Sequence, residues 1–270
     1  MLDAAEEFNA LSVSEVSIDE NSIGSRWEPV DTKQLAKLVA KIVMGQARFA
    51  ANIINEIATT GGVISNEDLV NEATIKLSVQ DTKERPRIGY PRHQRDGLIF
   101  EIISWIAARH TYPDTAYLKA PHISSTTQGL DGLMIELDNK KESIERTVIF
   151  EDKCTENPRG YFRDEVLPMF INRHNNNRSA ELIDAASTLI ALSGVEEGFI
   201  PSVVEDVLDT SKRSYRASFS LTKRSDTQPK RKKLFKGYDK LEDLTADQRV
   251  GACFIVEGAM RDWFEEPLRV

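Results

Sequence analysis

Two apolar stretches of this chain carry charge where an apolar strand would ordinarily exclude it. They are Gln128-Gly-Leu-Asp-Gly-Leu-Met-Ile-Glu-Leu137 and Thr147-Val-Ile-Phe-Glu-Asp-Lys-Cys-Thr-Glu156. Side chains alternate faces along a strand, so Glu151 and Lys153 share one face while Phe150 and Asp152 take the other. Charge in such a setting must be paired or must coordinate a metal, and Asp131 on the preceding strand is the natural partner. Two carboxylates from adjacent strands can hold Mg²⁺ through oxygen ligands and leave positions open for a phosphate and a water. Lys153 beside them would orient that water and stabilise charge developing on phosphorus.

The pattern Glu-x-Lys is common in charged chains, so its surroundings have to carry the reading. Upstream, Arg95-Asp-Gly-Leu-Ile-Phe-Glu-Ile-Ile-Ser-Trp-Ile-Ala-Ala-Arg109 places apolar residues mostly at helical spacing around a lone acid, Glu101. The expected order is a helix with Glu101, a strand near Thr115 to Lys119, a strand with Asp131, and a hairpin at Asp138 to Ser143. A strand with Glu151 and Lys153 follows, and then helices. From about Arg92 to Leu192 this resembles the PD-(D/E)XK, or restriction endonuclease-like, nuclease superfamily. The resemblance implies a mixed α/β fold with an αβββα core. In that family the Asp and Glu bind metal, the Lys assists the nucleophilic water, and an acid on the first helix often contributes. Those roles would fall on Asp131, Glu151, Lys153 and Glu101, with Mg²⁺ as cofactor and Mn²⁺ able to replace it. Asp131 follows Leu130 and Gly129 here, where the family's motif has a proline.

The chain of 270 residues, 40% hydrophobic and 29% charged, suits one substantial core with or without an appended domain. No stretch approaches the ~20 apolar residues that span a bilayer, and the N-terminus does not read as a signal peptide, so a cytoplasmic protein is expected. Cys154 and Cys253 lie in apolar, strand-like settings with no Cys/His cluster and read as buried free thiols. Walker, Gly-x-Gly-x-x-Gly and Gly-x-Ser-x-Gly signatures are absent, which argues against ATP hydrolysis, dinucleotide chemistry and nucleophile-elbow hydrolysis.

A net charge of −8 argues against a protein that coats nucleic acid over its whole surface, but the charge is unevenly spread. Residues 1–30 hold seven acids against Arg26 and read as an acidic mobile tail. Residues 223–240 hold eight bases against Asp226 and Asp239 and read as a mobile basic loop, with Lys230, Arg231, Lys232 and Lys233 as phosphate contacts. A second basic loop, Lys83 to Arg95, runs into the Glu101 helix and makes Arg92 and Arg95 the better-placed candidates. His93 within it reads as an exposed loop histidine. Arg159 and Arg163, just past the Glu-x-Lys strand, are a further possible phosphate clamp.

Residues 31–80 are expected to be helical, with one amphipathic helix from Asp31 to Thr59 capped by Asp31 and a second opening at Ser65 and running to about Leu77. The core is expected over 81–195. Strands at Ser214 to Thr222 and Arg249 to Glu257 would extend the sheet at its edge or form an accessory subdomain in 196–270. Pro168 is expected to kink its helix unless it lies near the start. On this reading the chain is a metal-dependent DNA endonuclease. It would be a subunit of an anti-phage defence or DNA-repair complex whose protein partner supplies recognition or ATPase activity. The competing reading is an inactive nuclease-fold scaffold.

Overall fold

In a computed structural model, which describes residues 10–54, 67–113, 115–125, 129–258 and 260–264, seven strands form one mixed sheet. They are β1 (Leu11–Asp19), β2 (Ser22–Pro29), β3 (Tyr117–Leu118), β4 (Gly132–Leu137), β5 (Ile144–Lys153), β6 (Arg213–Thr222) and β7 (Arg249–Val256), in the spatial order β1-β2-β7-β6-β5-β4-β3. Every residue of β7 is buried, as expected for a central strand covered on both faces. Its alternation divides the interior: Ala252, Phe254 and Val256 join one core, and Cys253 and Ile255 join the other. The fold is therefore mixed α/β in three layers.

The first core is closed by α1 (Thr32–Val43), α2 (Ala47–Ile54), α3 (Glu67–Leu77) and α4 (Arg92–Thr111). Asp31 caps α1 by accepting from the backbone N–H groups of Lys33 (2.9 Å) and Gln34 (3.0 Å), and Leu35, Leu38, Val39 and Ile42 form its buried stripe. Apolar on nearly every side, α4 lies between the sheet and α1–α3. Each fully buried Ile or Phe there contributes about 1.5–3 kcal/mol.

The opposite face is covered by α5 (Pro158–Tyr161), α6 (Leu167–His174), α7 (Ser179–Ser193), α8 (Ile200–Glu205) and α9 (Gln228–Leu234), while α10 (Met260–Trp263), near the end of the described chain, returns to the first core through Trp263. A π turn at Phe162–Val166 joins α5 to α6, so Pro168 falls in the first turn of α6, where its missing N–H is tolerated.

Several expectations need correction. The acidic segment 1–30 is a β-hairpin across its described residues, with Trp27 fully buried and Asp19 closing the turn through Asn21 N (3.0 Å) and Ser22 Oγ (2.9 Å). Residues 1–9 lie outside the described residues. The first helix ends at Val43, because Gly45 turns the chain with φ +79°, and α2 follows. Its expected end at Gly61-Gly62, and the Ser65 cap, fall outside the described residues. Segment 223–240 is α9 flanked by short 3₁₀ turns, and its Leu234, Phe235 and Tyr238 enter the core. β6 and β7 occupy the middle of the sheet, parallel to β5 and to each other, and are neither an edge nor a subdomain. Cys154 and Cys253 are free thiols as expected, but only Cys253 is buried. No helix among the described residues is long and apolar enough to cross a membrane.

Candidate metal centre and cavity

The β4–β5 hairpin sets the geometry. Gly132 pairs with Phe150 across the antiparallel ladder, so Asp131, one residue earlier, comes level with Glu151. Gly132 is required there, because a Cβ would sit 2.4 Å from the Phe150 ring. Asp131 Oδ2 accepts the backbone N–H of Asp152 at 2.9 Å, which fixes the carboxylate against β5. Lys153 Nζ lies 2.5 Å from Glu151 Oε1 and 4.0 Å from Asp131 Oδ2. Asp131, Glu151 and Lys153 thus converge as their spacing suggests.

Glu101 reaches this group from α4. It is held by His122, in the loop after β3: the His122 backbone N–H donates to Glu101 Oε1 at 2.8 Å, and Nδ1 lies 3.0 Å from the same oxygen. Lys119 Nζ lies 3.3 Å from His122 Nε2 and donates to the Leu130 carbonyl at 2.9 Å. An ammonium only donates, so Nε2 accepts and the ring proton sits on Nδ1, directed at Glu101. Ligand atoms of Glu101, His122 and Asp131 all lie within 4.8 Å of one another. Glu151 is not in that set; it is buried and engaged with Lys153.

A cavity of about 270 Å³ is lined by Gly97, Glu101, His122, Asp131, Asp152 and Lys153 among others, with Glu151 and Lys119 outside its lining. Burial, reinforced by the charge of Asp131, pushes Glu151 up to about 8. Burial likewise raises Asp131, against the pull of Lys153, and raises Asp152 to about 7 against the pull of Arg216. For Lys153 burial acts downward, but Glu151 and Asp131 outweigh it and hold the ammonium above the ordinary lysine range. Lys119 is lowered by burial, which Glu101 and Asp131 only partly offset.

Behind the cavity, Ser104 Oγ donates to Asp152 Oδ1 at 2.7 Å and accepts from Arg216 Nη2 at 2.5 Å. Arg216 is buried on β6 with its guanidinium 3.7 Å from the Phe150 ring centre and 5.0 Å from that of Trp27. The network steadies Asp152, whose backbone N–H in turn holds Asp131.

The expected phosphate contacts fare differently. Arg95 is buried, paired with Asp96 (2.7 Å) and donating to the Phe264 carbonyl (3.2 Å), so it belongs to the fold. Arg92 is half-buried at the start of α4, and His93 lines the cavity rim. Arg159 donates to the Leu234 (3.0 Å) and Lys236 (2.7 Å) carbonyls and ties α5 to the end of α9. Arg163 is exposed and bonded to Asp164. Arg231 is buried against Asp226, and Lys232 lies 3.6 Å from Glu20, while Lys230 and Lys233 are exposed. None of 223–240 lines the cavity.

Sequence reasoning missed His122, Lys119, Ser104, Asp152 and Arg216. Only Asp152 carried a usable signal, as a third charge inside the apolar β5 run; the others sit at spacings that imply nothing until the fold joins them.

Compared with known proteins, the chain matches no family model and no curated protein sequence.

Proposed function

We propose that this chain is a metal-dependent DNA endonuclease of the PD-(D/E)XK type. The observation that carries the proposal is the convergence of Glu101, Asp131 and Lys153 from a helix and a hairpin onto one cavity wall, with Glu151 buried beside them and paired with Lys153. The order α4, the antiparallel run β3-β4-β5, helices and then the parallel strand β6 supports it further.

The donor set suits a divalent cation, since the Glu101 and Asp131 carboxylates lie within ligand reach of one another and their like charges would be relieved by it. Held by Glu101 and Asp131, with His122 orienting Glu101, Mg²⁺ or Mn²⁺ would polarise a phosphate oxygen and acidify a water. The protein's own groups do the rest. Lys153, kept protonated by its two carboxylate neighbours, donates toward charge growing on the phosphoryl oxygens. Glu151 holds that ammonium in place, and its raised affinity for a proton suits it to accept one near neutral pH. His122 orients Glu101, and Asp152, through its backbone, orients Asp131. A partner that selects the target or drives motion, in defence or repair, belongs to the same reading.

The test is cleavage of supercoiled and linear DNA by the purified chain with Mg²⁺ or Mn²⁺, beside Asp131→Ala and Lys153→Ala. Loss of cleavage in both variants is expected. Equal cleavage by wild type and both variants, or none by wild type alone or with co-purifying partners, would overturn the proposal.

A further inference from the structure

The loop between β-bridge partners Val79 and Tyr90 is built to hold its shape. Its stem is closed by Gln80 N to Tyr90 O (2.8 Å) and Tyr90 N to Ser78 O (2.9 Å). Gly89 permits this approach, because a Cβ there would lie 2.7 Å from the Val79 carbonyl carbon. Inside the loop the Gln80 amide bridges both limbs, accepting from Ile88 N at 3.0 Å and donating to Glu84 O at 3.2 Å. Asp81 Oδ1 accepts from Arg92 N at 2.8 Å, fastening the loop to α4 where His93, Gln94 and Gly97 begin the cavity lining.

What this frame presents outward is unusual for a chain of net charge −8. Lys83, Arg85 and Arg87 are exposed and form no ion pair among the described residues; Arg87 only stacks over Tyr90. The nearby acids are engaged, Asp81 by the helix start and Glu84 by Thr82 Oγ1 at 3.3 Å. At the same tip Ile88 is 64% exposed. Among the described residues no acid pairs with these cations, and Ile88 stands clear of the core clusters. Cations on a fixed frame match a phosphate backbone, and an aliphatic side chain next to them matches a base step or groove wall, where such side chains insert as wedges. Ordering costs are already met by the loop's own hydrogen bonds.

Building on the nuclease reading, we propose that the Gln80–Pro91 loop is a preformed arm that grips duplex DNA beside the cavity. Lys83, Arg85 and Arg87 contact phosphates and Ile88 contacts a base edge or sugar. The arm fixes which stretch of backbone crosses Glu101, Asp131 and Lys153.

The full chain, with divalent cations chelated so that binding is read without cleavage, is titrated against a fluorescent duplex by anisotropy from about 50 to 200 mM salt. The double variant Arg85→Ala/Arg87→Ala is expected to bind roughly tenfold more weakly at about 100 mM salt and to lower the salt slope by about two. Ile88→Ser is expected to weaken binding severalfold with the slope unchanged. All three side chains are exposed, so thermal unfolding should match wild type. Wild-type affinity and slope in the double variant overturn the arm, and if wild-type protein cleaves DNA the nuclease reading survives that result. DNA binding that the double variant loses, in a wild-type protein that does not cleave, keeps the arm and removes the nuclease reading. A wild-type protein that binds no DNA removes both.

Discussion

Segments Lys83–Arg95 and Lys223–Lys240 look alike as runs of lysine and arginine, yet the fold engages more of the second than of the first, leaving Lys233, Lys236 and Lys240 exposed there. In the second, Arg231 is buried against Asp226, Lys223 lies 2.8 Å from Glu257, Lys232 approaches Glu20, and Lys230 donates to the Arg224 carbonyl at 2.6 Å. In the first, Arg95 is consumed in the same manner, but Lys83, Arg85 and Arg87 form no ion pair among the described residues. A basic run becomes a binding surface only where the protein's own acids and carbonyls leave it unanswered. Lys153 and Arg231 repeat the contrast: both are cations held by carboxylates, but Lys153 lines the cavity beside Glu101 and Asp131 and Arg231 does not.

That contrast predicts separable losses. Lys153→Ala should reduce cleavage by about 10²–10³-fold, the scale of removing one donor from developing transition-state charge, while denaturant unfolding changes far less. Equal damage to cleavage and stability would mean that Lys153 serves the fold as Arg231 does.

Arg231→Ala should do the converse, costing about 3 kcal/mol in urea unfolding, near the lower end for breaking a buried ion pair. The low end applies because Arg26 still reaches Asp226 at 2.6 Å. DNA affinity of the folded variant should match wild type.

A pH effect follows from the raised pKa values of Glu151 (about 8) and Asp152 (about 7), compared with ordinary carboxylate values of 4.5 and 3.8. Between these limits the folded state binds more protons than the unfolded state, so stability falls as pH rises. In chelator, the unfolding midpoint should therefore decline from about pH 5 to pH 8, and Glu151→Gln/Asp152→Asn should flatten that decline. A flat wild-type profile would show that these carboxylates are not burdened by burial. The least change is expected for Lys230→Ala/Lys233→Ala, whose salt slope for DNA should move by less than about one. A drop of two or more would erase the distinction between the two basic segments.

Much of the site was legible because charge inside apolar strands is costly and therefore conspicuous. Asp131, Glu151 and Lys153 stood out on that ground, and Glu101 did so as a lone acid among helical apolar residues. The N-terminal hairpin was hidden by its own acids: Leu11-Ser-Val-Ser and Val16-Ser-Ile each alternate, but out of phase across Glu15, and the acid count favoured a tail. Arg216 was hidden differently. Ser214, Arg216, Ser218 and Ser220 alternate along β6 as a solvent-facing edge would, and all four are buried. Alternation reports which residues share a face; it does not say whether water or a helix covers that face.

The parallel pairing of β2 with β7, which matches Ile23 to Val250 and Trp27 to Phe254, also bears on how the chain acquires its structure. The hairpin is synthesised first, but its inner neighbour is made only after most of the remaining residues. Contacts so far apart in sequence slow folding, and until β7 arrives Trp27 and the inner edge of β2 lack their cover. Biosynthesis therefore passes through a stage in which an early strand waits for a late one, and losing β7 would strand the hairpin as well as shorten the sheet.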